Sequence, residues 1–404
     1  MIQVKAKKRI KLDHTGQYYA AAHSEENSLT FSLTAHLKAE VNSDVLQQAV
    51  NDLMKRLPHF NVRLRSGFLW FYHELLDTPF TIVKQCENFT PQRHFEKDET
   101  LTRIFYGKYH FTVEILHTIC DGRGLVKVIN ALLVRYYELL GYEVDKQGVI
   151  DCTTTQRVEE AEDAYMRYAD LRKAKNEKVK REVYVPNHQA DVSQTIIHSF
   201  ELNLLKAKSK SYNATITEYI MAHIMNEFAK QRNKDKSQGT IVIGTPIDCR
   251  SFFPTECLRN FNSGKDMIMP ETANFLDIIN AVKKQFADIN ADLCQETMST
   301  MENLMQLTNY IPLFIKKPII RKIGDAEAKG VTAMLSSLGL IKIPEEIEEK
   351  VEMLSFTIGK SPDMLYQFGC VTVGNTLTLT IVTTAKDNQI IENIYTALEA
   401  DEER

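Results

Sequence analysis

One change of hydrophobic period constrains the fold of this chain more than any other feature. Over residues 109–117 apolar side chains alternate with other side chains, which is the period of a strand with one buried face, and His117 lies at the end of that face. From residue 124 to residue 140 apolar side chains recur at helical spacing and form a broad stripe. A strand that passes directly into an amphipathic helix predicts a mixed fold in which helices pack on a sheet.

The rest of the chain alternates strands and helices without a regular βαβ rhythm. Ser43 is expected to cap one helix, and Thr215 with Glu218 matches a capping box at the start of another. Patterns and turn residues predict strands within 28–37, 61–64, 68–75, 195–202, 240–247, 353–359, 366–373 and 376–384, and helices at 43–57, 216–231 and 272–291.

A stretch dominated by Glu, Lys and Arg lies near the middle of the chain, at 155–183. Such a composition is typical of a solvated helical connector. We therefore predict an α+β fold of two similar lobes, each a mixed sheet flanked by helices. The N-terminal lobe, residues 1–185, carries the switch from strand to helix, and the C-terminal lobe comprises residues 186–404.

Composition excludes several classes of protein. The chain has 49 Lys and Arg against 53 Asp and Glu, so its net charge of −4 offers no broad electrostatic reason to expect nucleic acid or an anionic membrane surface as the main partner. Its seven cysteines are scattered without a C-x-x-C pair, so we expect neither a disulfide framework nor a metal site. No apolar run has the length of a signal peptide core or a membrane span. We therefore expect a cytoplasmic protein.

The turn after the first strand carries the residues best suited to chemistry. His117 reaches the end of an apolar strand face, where partial desolvation favours the neutral imidazole that can act as a base. Gly122 permits a backbone conformation or a close approach that a side chain would block. Structural roles explain the same residues, because Asp121 stands at the N-cap position of the next helix and a lone histidine on an apolar face is usually a core residue.

A second polar segment follows the predicted strand at 240–247. Arg250 leaves a buried strand with a charge that no pKa shift can remove, so it needs an acidic partner. Asp121 is one candidate from the other half of the chain, and Asp248 is a local competitor.

Together the two segments resemble the CoA-dependent acyltransferase superfamily. This superfamily includes chloramphenicol acetyltransferases, nonribosomal peptide condensation domains, plant BAHD acyltransferases and bacterial alcohol acetyltransferase-like proteins, and the chain is most similar to the last group. The family motif H-x-x-x-D-G matches His117, Asp121 and Gly122, Arg250 resembles the arginine that pairs with the motif aspartate, residues 258–263 resemble the segment that follows it, and residues 335–339 resemble the family segment S-N-x-G.

The chain departs from the family patterns at three places. Condensation domains usually carry two adjacent histidines, whereas position 116 is Leu, which argues against peptide-bond formation. The plant signature D-F-G-W-G is absent. Ser337 stands where the S-N-x-G segment usually has Asn, which puts the role of that segment in doubt.

The resemblance implies two chloramphenicol acetyltransferase-like lobes with an active-site tunnel between them. His117 would act as the general base that moves an acyl group from an acyl-CoA co-substrate to a hydroxyl or amine acceptor, without a permanently bound cofactor. Ser336 or Ser337 would donate to the oxyanion, and Asp121 would pair with Arg250 in a structural role. An acyl carrier protein as donor, in a condensation-type reaction, and a non-catalytic binding protein are the alternatives.

Two further segments are expected to be structural. Cys120 lies three residues from His117, but its place in the turn favours a small buried side chain over a nucleophile. The apolar stretch at 304–315 could form a wall of the acceptor tunnel, although packing in the core is the preferred interpretation.

Overall fold

A computed structural model of the chain describes residues 9–85, 93–175, 181–186, 189–271, 274–361 and 364–400. The strands of this part are β1 (Arg9–Lys11), β2 (Thr30–Leu37), β3 (Val62–Ser66), β4 (Phe71–Leu75), β5 (Val83–Lys84), β6 (Thr102–Tyr106), β7 (His110–Leu116), β8 (Gln189–Glu201), β9 (Val242–Asp248), β10 (Asn262–Ile268), β11 (Ala333–Leu340), β12 (Val351–Ile358), β13 (Tyr366–Val373) and β14 (Thr376–Ala385). The helices are α1 (His14–Ala22), α2 (Ser43–Arg56), α3 (Gly122–Leu139), α4 (Ala164–Tyr168), α5 (Leu202–Ser211), α6 (Ile216–Lys234), α7 (Phe275–Ala287), α8 (Ala291–Leu307), α9 (Leu313–Ala328), α10 (Glu345–Glu348) and α11 (Gln389–Glu399).

Two mixed sheets, each with its own hydrophobic core, form the centre of the molecule. The first has the order β12-β2-β7-β6-β5, and side chains of α2 and α3 complete its core. The second has the order β10-β9-β11-β13-β14-β8, and α6, α7 and α11 contribute to its core. In a smaller three-stranded sheet, β1-β4-β3, the strands predicted within 61–64 and 68–75 pair antiparallel as β3 and β4. The predicted α+β class with helices on mixed sheets is confirmed.

One strand from the C-terminal half of the chain joins the first sheet. Strand β12, from the C-terminal half, pairs antiparallel with β2 at the edge of the first sheet. Gly369 of β13 lies against this strand so closely that an added Cβ would come within 2.1 Å of the carbonyl oxygen of Phe356. Along β11, Leu335 belongs to the second core whereas Leu338 belongs to the first. The end of β11 therefore brings its residues next to the N-terminal sheet.

Local capping signals were predicted with mixed success. The capping box of α6 is present, because the side chain of Thr215 accepts from the backbone of Glu218 and the side chain of Glu218 accepts from the backbone of Thr215. At α2 the N-cap is Asn42 and not Ser43, since the Asn42 side chain accepts from the backbone N–H groups of the first turn. Both residue types favour this position, so the sequence alone does not decide between neighbours.

The predicted helical connector is not a continuous helix. Its described part forms short turns around α4, and residues 176–180 lie outside the described residues, as do 272–273 of the predicted helix at 272–291. It is not uniformly solvated either, because Glu160 is buried and forms a two-fold ion pair with Arg56 of α2 at 2.7 Å for both bonds. The charge run therefore includes a residue that ties the connector to the first core.

The stretch at 304–315 does not pack in the core as expected. It forms the end of α8, a turn and the start of α9, and three of its large apolar side chains, Leu307, Tyr310 and Phe314, are 72%, 90% and 73% exposed. Leu313 and Met305 are its buried members. Within the described residues, no helix has both the length and the hydrophobicity to cross a bilayer.

Candidate active site

Asp121 connects the two halves of the chain at the start of α3. Its Oδ1 accepts from the backbone N–H of Gly124 at 2.9 Å, so it is the N-cap of the helix. Its Oδ2 accepts from Nη1 of Arg250 at 2.8 Å and from the backbone N–H of Phe261 at 2.7 Å. The same carboxylate therefore caps the helix and forms the ion pair, and it accepts three hydrogen bonds in total.

Arg250 is almost fully enclosed by acceptors. Besides Asp121 it reaches Oδ1 of Asp248 at 3.0 Å, and its guanidinium donates to the carbonyl oxygens of Cys257 and Arg259. Burial is the largest single influence and opposes the charge, but the attraction and hydrogen bond of Asp121 together with the attraction of Asp248 outweigh it and raise the pKa of Arg250 above the ordinary value. The guanidinium thus holds the loop after β9 against the start of α3.

His117 lies in the turn after β7, half-buried between two aromatic rings. Its ring centroid is 4.1 Å from that of Tyr19 in α1 and 4.6 Å from that of Phe31 in β2. Desolvation lowers the pKa of His117 below 6.5, although the charge of Asp121 opposes this change. The imidazole is therefore neutral at pH 7, as a general base must be.

Asn260 determines which ring nitrogen of His117 is basic. Its Oδ1 lies 3.0 Å from Nδ1 of His117, while its Nδ2 donates to the carbonyl oxygen of His117 at 3.0 Å and faces both oxygens of Asp13 at 3.4 Å. The carbonyl oxygen of His117 and the carboxylate of Asp13 can only accept, so the N–H₂ group of Asn260 must face them. Oδ1 of Asn260 therefore faces the imidazole, and Nδ1 of His117 must carry the proton that it donates to Oδ1. The lone pair then resides on Nε2.

Asp13 supports Asn260 from behind. This carboxylate is fully buried, caps α1 through the N–H of Gly16, and lies 3.3 Å from Nε of Arg259. Burial raises the pKa of Asp13 to about 6, although Arg259 opposes the shift. Asp13, Tyr19 and Asn260 were not predicted as site residues. Asn260 falls in the 258–263 segment noted in the sequence, but nothing local shows that it faces a residue 143 positions away.

Gly122 and Gly124 let other chain segments approach the turn. Gly122 does not have a positive φ, so its role is steric, and an added Cβ would lie 2.7 Å from a methyl group of Leu338. The constraint at Gly124 is tighter, because a Cβ there would lie 2.1 Å from the carbonyl oxygen of Leu258. A backbone atom cannot move aside as a methyl group can, so Gly124 is the more restricted position.

The two serines of β11 differ in their surroundings. The hydroxyl of Ser337 lies 3.3 Å from that of Thr217 in α6 and also bonds Cys370. Ser336 pairs in register with Gly369, and residues paired in parallel strands point to the same side, here towards Phe356. Phe356 in turn contacts Phe31, which packs on His117. Ser336 thus faces the side of the site, and its hydroxyl has no hydrogen-bond partner in the described part of the chain.

Cys120 is a buried structural residue. Its side chain is inaccessible, and burial raises the pKa of its thiol well above the ordinary value. A thiol that stays protonated is a poor nucleophile.

Comparisons with known proteins identify the fold. No protein-family model and no curated protein matches the chain by sequence. Among solved structures, polyketide synthase associated protein 5 from Mycobacterium tuberculosis matches with a TM-score of 0.66 and 14% identity, covering 98% of both chains. TRI3 trichothecene 15-O-acetyltransferase from Fusarium sporotrichioides matches with a TM-score of 0.62 and 11% identity over 96% of this chain and 94% of that one.

A third match was crystallised with C8-CoA. The starter condensation domain of rhizomide synthetase RzmA, in a mutant complex with C8-CoA and Leu-SNAC, has a TM-score of 0.60 and 8% identity over 96% of this chain and 93% of that one. At such low identity these likenesses establish architecture alone. The chain has the two-lobed fold that condensation domains share with CoA-dependent acyltransferases.

Proposed function

We propose that the chain is an acyltransferase in which His117 acts as general base between an acyl-CoA thioester and a small hydroxyl- or amine-bearing acceptor. The observation that carries this proposal is the state of the imidazole. Asn260 holds the proton on Nδ1, burial keeps the ring neutral, and Nε2 is left with an available lone pair. Burial also keeps other histidines of the chain neutral, such as His59 and His73, so the proton that Asn260 fixes on Nδ1 is the feature that distinguishes His117.

The reaction follows from that lone pair. Nε2 removes the proton from the acceptor hydroxyl as its oxygen attacks the thioester carbonyl, which forms the new C–O bond and a tetrahedral oxyanion. The oxyanion collapses, the C–S bond breaks, and the thiolate of CoA takes the proton back from Nε2. No covalent intermediate on the protein is required. Ser336, the serine without a competing partner, is the proposed donor to the oxyanion.

Asp121, Gly122 and Arg250 have positioning roles in this proposal. Asp121 and Arg250 hold the turn that aims His117, and neither needs to change its protonation during the reaction. Asp13 acts through Asn260 in the same way. The shared fold with an acetyltransferase and with a domain crystallised with C8-CoA supports a CoA thioester as donor.

A condensation-type reaction with carrier-protein thioesters is the second candidate. The fold is also that of the epimerization domain of tyrocidine synthetase B, with a TM-score of 0.59 and 10% identity. Condensation domains usually have two adjacent histidines, and Leu116 stands where the first of them would be, which argues against a condensation-type reaction. A non-catalytic binding protein is the third candidate. The intact motif of His117, Asp121 and Gly122 argues against it.

The test is release of free CoA thiol from acetyl-CoA and octanoyl-CoA in the presence of a panel of alcohols and amines. We expect His117→Ala to lower turnover by about 10²–10⁴-fold and Asn260→Leu by about 10²-fold. His110→Ala, at the opposite end of β7, is the matched control and should leave turnover unchanged. Wild-type turnover in His117→Ala would show that the base is misassigned.

The donor is tested in the same assay. Transfer from a carrier-protein thioester but not from either acyl-CoA would establish the condensation-type reaction instead. Binding of acyl-CoA, seen as a rise in melting temperature, without transfer to any acceptor would favour the non-catalytic protein.

A further inference from the structure

The turn between α8 and α9 presents an apolar surface that the proposed reaction does not use. We define the apolar tip as six exposed side chains. Single exposed apolar residues are ordinary, but soluble monomers rarely expose a contiguous apolar patch of this kind without a partner for it. The members of the apolar tip, with their exposed fractions, are Phe68 (75%), Leu307 (72%), Tyr310 (90%), Phe314 (73%), Ile315 (46%) and Ile319 (51%).

The apolar tip is held in place by its inner side. Leu313 and Ile320 of α9 are buried against α1 and Phe71. The backbone N–H of Leu313 donates to the carbonyl oxygen of Phe68, which joins the β3–β4 turn to the start of α9. Trp70 donates from its indole to the side chain of Asn309 at 3.1 Å. The exposed side chains therefore project from a fixed base.

Lys316 adds to this base. Its side chain is fully buried, its Nζ lies 2.8 Å from the centre of the Trp70 ring, and it donates to the carbonyl oxygen of Thr308. The alkyl chain and the charge both face inwards. The six side chains of the apolar tip, from the β3–β4 turn, the end of α8, the turn after it and the start of α9, thus form the outer face of a pre-ordered base.

The chain segment that carries most of the apolar tip has charges of one sign. No Asp or Glu stands in the sequence between Glu302 and Asp325, whereas four Lys or Arg do, although the whole chain has net charge −4. Lys317 and Lys322 are exposed, and Arg321 is exposed and lies 3.6 Å from Glu26. Lys322 follows Phe314 by eight residues, which is about 12 Å along the helix axis. Lys322 and Arg321 therefore lie behind the aromatic side chains, whereas Lys317, three residues after Phe314, lies beside them.

This arrangement selects among the possible partners. In a symmetric dimer the same cationic segment would face itself, so a second copy of the chain is disfavoured. Four of the six side chains are exposed by 72–90%, so they project outwards and do not form a groove into which a rigid partner would fit. The exposed Tyr and Phe side chains, with Lys and Arg farther along α9, match a partner that has an apolar interior and an anionic surface.

We infer that the apolar tip, with Lys317 beside it and Lys322 behind it, docks the protein on the surface of an anionic lipid bilayer. The apolar side chains enter the boundary between headgroups and acyl chains, and the lysines contact the headgroups. The protein does not cross the membrane in this state. The inference is independent of the proposed acyl transfer, because it concerns only residues outside the site of His117.

Flotation of the full chain with lipid vesicles tests the inference without any assay of activity. Vesicles of phosphatidylcholine mixed with phosphatidylglycerol should carry the protein upwards in a density gradient, and phosphatidylcholine alone should carry less. The double variant Tyr310→Ser/Phe314→Ser should lower the partition coefficient by about tenfold per aromatic side chain. The double variant Lys317→Gln/Lys322→Gln should lower the partition coefficient by about fivefold per charge removed, and only on the anionic vesicles. Added salt should also lower the partition coefficient of the wild type on these vesicles.

The matched control removes two other exposed apolar side chains, far from the apolar tip in the sequence. Leu204 in α5 and Leu276 in α7 are 57% and 56% exposed, so Leu204→Ser/Leu276→Ser should float as the wild type does. Every variant alters exposed side chains, and unchanged transfer to a water-soluble acceptor would show that the site is intact. Since His117→Ala should also float, loss of transfer and loss of docking are separable.

Three results would overturn the inference. The first is wild-type protein that stays at the bottom of the gradient with anionic vesicles. The second is flotation that the Tyr310→Ser/Phe314→Ser variant retains in full. The third is a concentration-dependent dimer, seen by light scattering and abolished by that variant, without flotation, which would make the apolar tip an interface between copies.

Discussion

Removal of the Asp121 carboxylate should destabilise the protein far more than removal of an ordinary salt-bridge partner. Asp121→Ala takes three contacts away together: the ion pair with Arg250, the cap of α3 and the acceptor for the backbone N–H of Phe261. All three lie in a region where Asp121 itself is 3% exposed. Water therefore cannot replace the lost acceptor.

The magnitude follows from the three losses. Breaking a buried ion pair costs about 3–5 kcal/mol, and here the lower value applies because Arg250 keeps Asp248 and the carbonyl oxygens of Cys257 and Arg259. Loss of a helix cap costs about 1 kcal/mol. An unpaired buried N–H costs about 1–3 kcal/mol. We expect a decrease of about 5 kcal/mol in the free energy of unfolding, which is comparable to the total stability of many domains.

The matched control is an ion pair of the same length at the surface. Nε of Arg135 lies 2.7 Å from Oδ2 of Asp52, but these side chains are 20% and 31% exposed. Asp52→Ala should therefore cost less than about 1 kcal/mol. Urea unfolding followed by circular dichroism measures both variants against the wild type, with linear extrapolation to water. If Asp121→Ala loses no more stability than Asp52→Ala, the reasoning from burial and multiple donors is wrong.

Three further predictions concern neighbouring residues and pH. Gly124→Ala should cost about 3 kcal/mol or more in urea unfolding, because its Cβ would meet a backbone carbonyl at 2.1 Å, and a cost below about 0.5 kcal/mol would contradict the close approach. Ser336→Ala should lower acyl transfer by about 10²–10³-fold while Ser337→Ala changes it little, and equal effects would remove the distinction between the two hydroxyls. Burial lowers the pKa of His59 and of His73 to about 3, so below pH 6.5 these two residues bind more protons in the unfolded chain than in the folded one. The free energy of unfolding that these two residues contribute above pH 6.5 should therefore decrease by about 1.4 kcal/mol per residue for each pH unit between pH 6.5 and pH 4. Urea midpoints that do not change over this range would refute the prediction.

Local patterns predicted those parts of the fold that depend on near neighbours. The strand 109–117 and the helix 124–140 correspond to β7 and α3, and the capping box at Thr215 is present, because periodicity and caps are determined within a few residues. The choice between Asn42 and Ser43 as a cap was wrong because adjacent residues with the same propensity differ only in backbone geometry. Helices α8 and α9 were not predicted at all.

The candidate site combines local and non-local information. The motif placed His117, Asp121 and Gly122 in one turn, and Arg250 could be named because a buried guanidinium requires a carboxylate. The contact of Asn260 with His117 was not predicted, since an amide has no charge that demands a specific partner. Asp13, which supports Asn260, lies 247 residues from it in the chain and has no motif of its own.

The sequence by itself determined the mixed α+β class, the turn that carries the motif residues and the need of Arg250 for an acid, because each of these follows from short-range periodicity or from the cost of a buried charge. Only the tertiary structure decided that β12 joins the N-terminal sheet, that Asn260 orients His117, and that residues 304–315 are exposed at a turn. An apolar pattern shows which side chains share a face, but whether another segment covers that face depends on contacts hundreds of residues apart.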